Sequence, residues 1–119
     1  MKKLAVIYLI LVILIMGLSS CAPLRKPLDD RTNYSKYLFD TEIFIRQEDW
    51  TNALNSMEKS QKAWNKLKPL LQVDIDHDYV NDIDNNFTLL KGYIETEEKS
   101  DSLATILLLQ KIWDNIGEM

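Results

Sequence analysis

Trp50, Met57, Trp64 and Leu71 recur at intervals of seven, with Ala53, Ser60 and Leu67 three positions after the first three of them. That spacing collects on one side of an α-helix and scatters over both faces of a strand. The same interval runs through Val73, Val80, Phe87 and Ile94, with Asp76, Ile83 and Leu90 between them, and Asp76 is the one polar misfit. Leu103, Ile106, Leu109, Trp113 and Ile116 form a third stripe, and Tyr34, Tyr37, Leu38, Thr41, Phe44 and Ile45 a less regular one. Repeats of seven on neighbouring helices imply crossings near 20°, so the expected fold is all-α, an antiparallel four-helix bundle.

Punctuation agrees with that reading. Beyond Thr32 the chain has only Gly92, Gly117 and Pro69 as breakers, and beyond residue 20 only two valines, too few for many short strands and turns. Asp49 directly before Trp50 reads as an N-cap, and Ser100 or Asp101 as another. Pro69 lacks an N–H and crowds the preceding turn, which predicts a break or kink around Lys66 to Lys68. The expected helices are therefore about 29–47, 50–67, 70–98 and 101–117.

Ahead of these lies a stretch of different character. Met1-Lys2-Lys3 is a short basic head, and residues 4 to 18 carry no charge. As a helix those fifteen residues span roughly 22 Å, short of the ~30 Å hydrocarbon core of a bilayer. A signal peptide over residues 1–20 is favoured over a permanent span, an uncleaved anchor helix being the alternative. Without it the 14 basic residues fall to 12 against 18 acidic, moving the formal charge from −4 to −6. An acidic surface disfavours binding to nucleic acid. Residues 21–32, with two prolines and mixed charge, read as a tether, and 33–119 as the helical domain.

Leu18-Ser19-Ser20-Cys21 resembles the bacterial lipobox, and all four positions match. The resemblance implies a lipoprotein: cleavage before Cys21, a diacylglyceryl group on its sulfur, acyl chains such as palmitate, and an extracytoplasmic domain held at the cell membrane. Two or more chains anchor stably where one does not. A lone thiol outside the cytoplasm is also a liability that a thioether to lipid removes.

Asp49-Trp50 opening a helix, Trp64 fourteen residues later, Val73-Asp74-Ile75-Asp76-His77-Asp78, Ile83-Asp84 and the leucine-rich last helix together resemble an uncharacterised domain-of-unknown-function family. Its members are small membrane-anchored or lipoprotein-like helical proteins of Gram-positive bacteria. The resemblance implies a helical bundle outside the membrane and no activity.

The only candidate chemistry lies in Asp74 to Asp84, where His77 sits among five aspartates. A single histidine with no free cysteine excludes the usual zinc sets. Tyr79 stands where a calcium loop needs glycine, and Asn85 where it needs a bidentate glutamate. Asp76 is expected to hydrogen-bond an indole N–H or the chain break near Pro69. No catalytic constellation, metal site or cofactor is assigned. The expected function is a non-enzymatic interaction or scaffold module at the cell envelope, with a possible envelope protein as partner. The alternative is a small-ligand or divalent-cation binder using Asp74–Asp84.

Overall fold

The computed structural model describes residues 1–18, 25–73 and 75–117, and among them there are six helices and no strand. These are α1 (Lys2–Leu18), α2 (Arg25–Thr32), α3 (Tyr34–Arg46), α4 (Trp50–Leu71), α5 (His77–Glu95) and α6 (Lys99–Gly117). The chain is all-α, as the spacing requires. Helix α3 packs against α4 and α6, α5 packs against the same two, and α2 touches α3, α4 and α6.

The apolar stripes become the buried faces. On α4, Ala53, Met57, Ser60, Trp64, Leu67 and Leu71 are buried while Trp50 is half-buried. The Ser60 hydroxyl meets the Met57 carbonyl at 2.7 Å, so this small polar group enters the core satisfied. On α5 the buried set is Val80, Ile83, Phe87, Leu90 and Ile94, and on α6 it includes Ile106, Leu109, Trp113 and Ile116.

Helix α4 does not break at Lys66 to Lys68 but runs on through Pro69 to Leu71. Pro69 and Asn65, one turn apart, are both exposed, so the carbonyl that loses its N–H partner faces water, whereas Leu67 and Leu71 bury themselves by continuing the helix. The chain turns only afterwards, where the amide of Gln72 donates to the Lys68 carbonyl and that of Ile75 to the Leu71 carbonyl. The expected helix over 70–98 therefore begins at His77, and Val73, expected in its stripe, is 87% exposed. Asp76 is no longer a misfit, because it lies outside the helix as the N-cap of α5, extended at φ −62°, ψ 143°, and accepts from the Asp78 amide at 3.3 Å.

The first expected helix is likewise divided. Asn33 adopts a left-handed conformation at φ 57°, ψ 30°, between α2 and α3. The Asp29 carboxylate bridges the bend, accepting from the Ser35 amide at 2.8 Å and from its hydroxyl. Part of the stretch read as a tether is thus helical, and its Leu28 is buried among the core residues.

Two of the turns are the same structure. After α3, the amide of Glu48 donates to the Ile45 carbonyl and that of Asp49 to the Phe44 carbonyl; after α5, Glu97 donates to Ile94 and Glu98 to Tyr93. This paired pattern is the Schellman motif, and both copies place a glutamate at φ 57° where glycine is preferred. In the first copy Asp49 also caps α4, accepting from the Asn52 amide. Helix α6 starts at Lys99, two residues before the expected Asp101.

Candidate functional site

Three places could carry function: the apolar N-terminal helix, the acidic run before and within α5, and a lysine-lined cleft on α4. Each follows from how the helices present their side chains.

Helix α1 has no inward face over its described side chains, Lys2 to Leu14. Every residue from Leu4 to Leu14 is exposed, although all are apolar. Among the described residues no helix is long and apolar enough to cross a membrane. Cys21, the expected lipid attachment point, lies outside the described residues, as does Asp74.

The acidic run is taken apart by the fold. Asp76 caps α5, while His77, Asp78 and Asp82 are exposed on its surface. Asp84 turns the other way. Its carboxylate accepts the indole N–H of Trp64 at 2.8 Å on one oxygen and the Lys68 ammonium at 2.5 Å on the other, joining α5 to α4. The indole partner is therefore Asp84, not Asp76. No group of three or more potential metal ligands is brought together among the described residues.

Behind that bond lies an aromatic cluster. The Tyr34 ring meets Trp113 edge-on at 4.8 Å between centroids, with Trp64 at 6.0 Å and Phe87 at 6.3 Å. Tyr34 is fully buried and its hydroxyl has no hydrogen-bond partner. Burial drives the phenol far above the usual tyrosine range, and the negative charges of Asp29 and Asp84 push in the same direction. This hydroxyl stays protonated at physiological pH.

The third place is a cleft of about 170 Å³ lined by Thr32 at the end of α2, Tyr37 on α3, and Lys59, Lys62, Ala63 and Lys66 on α4. The three lysines occupy positions i, i+3 and i+7, one edge of the helix, and that spacing was open to reading from the sequence. The walls contributed by α2 and α3 were not.

A family model described as a domain of unknown function (DUF4363) matches residues 29–119. The chain belongs to the DUF4363 family. No curated protein and no solved structure matches it. The resemblance drawn from the Trp and Asp-His pattern is thus correct at the level of an uncharacterised domain family. The DUF4363 match begins at Asp29, whose carboxylate fastens α2 to α3, and takes in the whole of α3 to α6. It includes Tyr34, Trp64, Asp84 and the lysine cleft.

Proposed function

We propose that this DUF4363 protein is a lipid-anchored, non-enzymatic interaction or scaffold module of the cell envelope, with α3 to α6 as an antiparallel four-helix bundle. The observation that carries the reading is the N-terminal helix: an uninterrupted apolar surface from Leu4 to Leu14, exposed on all sides and preceded by Lys2 and Lys3. Such a surface is stable in lipid rather than water. The lipobox-like Leu18-Ser19-Ser20-Cys21 follows it at once. The contacts of α3 and α5 with α4 and α6, joined by short turns, support the bundle. In this reading Cys21 carries the diacylglyceryl group, and the acidic domain works outside the cytoplasm with an envelope protein.

The test is metabolic labelling with radioactive palmitate in a bacterial host. The intact chain should take up label and lose its N-terminal helix, and Cys21→Ala should abolish both. Membrane retention and gel mobility left unchanged by Cys21→Ala would mean an uncleaved helix and sink the lipoprotein reading. Substrate turnover by the purified chain, abolished by one point substitution, would sink the non-enzymatic one.

A further inference from the structure

The outer edge of α4 runs against the charge of the chain. The protein carries −4 overall, yet Lys59, Lys62 and Lys66 project from adjacent turns into one cleft. Three other lysines are matched: Lys68 pairs with Asp84, Lys91 with Glu95 and Lys99 with Glu48. Among the described residues none of the three cleft lysines forms an ion pair. Like charges three and four residues apart on a helix repel, so this edge is left in a state that a bound anion would relieve.

The cleft has a shape suited to that role. Ala63 is small and nearly buried, leaving room between the flanking lysines, and the half-buried Tyr37 forms the opposite wall. Lys36 brings a fourth ammonium to within 6.0 Å of the Tyr37 ring centroid. The Thr32 hydroxyl already donates to the Leu28 carbonyl at 2.8 Å, so the ammonium groups supply the free donors. From Lys59 to Lys66 the edge extends roughly 10 Å.

We propose that this cleft binds a phosphate-bearing anion through Lys59, Lys62 and Lys66. A phosphate group carries up to two negative charges and three strong acceptor oxygens, which suits a cleft lined by three lysines. A free phosphate compound offers this group, and the phosphodiester headgroup of an anionic phospholipid offers a related one with one negative charge and two free oxygens. The second source rests on the membrane attachment proposed above; the first does not.

The experiment is lysine acylation of the full-length chain, read residue by residue by mass spectrometry. In neutral detergent micelles, inorganic phosphate is compared with chloride at matched ionic strength. In bilayers, phosphatidylglycerol is compared with phosphatidylcholine. At an anion concentration twice that giving half-saturation, acylation of Lys59, Lys62 and Lys66 should slow about threefold, while Lys111 on α6 is unchanged. Protection by inorganic phosphate supports the site with a free anion as ligand, whatever the fate of the membrane reading. Protection only in phosphatidylglycerol supports it with a lipid headgroup. Protection in neither, or equal protection of Lys111, overturns it. Lys62→Ala, at an exposed position, should remove the protection of Lys59 and Lys66, and retained protection would also overturn the proposal.

Discussion

Trp64 on α4 donates its indole N–H to Asp84 on α5 across 2.8 Å, a bond between residues twenty positions apart. It couples the most buried aromatic of one helix to a carboxylate that is one-third exposed, and it fixes how the two helices face each other. Asp84 meets Lys68 as well, so one side chain ties a core donor to a surface cation.

Removing either end of that bond has different consequences. Trp64→Ala deletes a fully buried indole and should cost about 3 to 5 kcal/mol in unfolding free energy. Asp84→Ala leaves the indole N–H unpartnered and should cost about 1 to 3 kcal/mol. Lys68→Ala should cost under ~1 kcal/mol, since both partners of that ion pair are about one-third exposed. Urea titration of the three variants gives the order; a Lys68→Ala loss equal to that of Asp84→Ala would make the ion pair, not the indole bond, the important contact.

The stripes on α4, α5 and α6 were legible because their spacing is local and repeats within one helix. Leu67 and Leu71 show the limit of that reading. Their place in the Trp50 stripe favours a helix reaching 71 while Pro69 favours an earlier end, and burial of the two leucines overrides the lost hydrogen bond. Asp76 and Asp84 show another limit. Both lie in the same acidic run, and only the crossing of α4 and α5 decides which one meets an indole. Asn33 breaks the first helix with neither glycine nor proline to mark it, because the bend is held by Asp29 and Ser35. Of the candidate sites, Cys21 rests on its four-residue context alone and lies outside the described residues. The lysine cleft was not, since two of its walls come from other helices.

The second Schellman turn offers a stabilising change. Glu97 sits at φ 57°, where an L side chain is crowded and glycine is not, and its side chain is exposed. Glu97→Gly should raise the unfolding free energy by roughly 0.5 to 1 kcal/mol, after the extra freedom of glycine in the unfolded chain is counted. Thermal melting checks this, and a lowered Tm would show that the glutamate makes a favourable contact outweighing its backbone strain.

Gly92 lies inside α5, and beyond its chain neighbours and the helix's own backbone no atom lies within 4 Å of where a Cβ would stand. Its carbonyl still accepts from the Thr96 amide and hydroxyl, bonds that alanine would keep. Gly92→Ala should therefore stabilise the protein by roughly 0.5 to 1 kcal/mol through helix propensity alone. If chemical denaturation shows a loss instead, the bare surface at Gly92 is used by something that must approach the backbone.

Tyr34 sets the response to alkali. Its pKa is raised in the folded state by burial, with Asp29 and Asp84 adding to the effect, whereas in the unfolded chain it titrates near ~10. The folded state thus holds a proton that the unfolded state releases, so the stability associated with this group is intact below ~10 and declines as pH rises above it. The decline approaches about 1.4 kcal/mol per pH unit while the folded phenol remains protonated. Tyr34→Phe removes both the titration and a buried hydroxyl that has no partner. It should fold at neutral pH with stability equal to or greater than the parent, because no hydrogen bond is lost. Denaturant titrations from pH 8 to 11 should show the two chains diverging only in the upper part of that range, with the parent falling more steeply. Parallel slopes throughout would mean that Tyr34 ionises as freely in the folded protein as in the unfolded chain, and that the aromatic cluster opens to water.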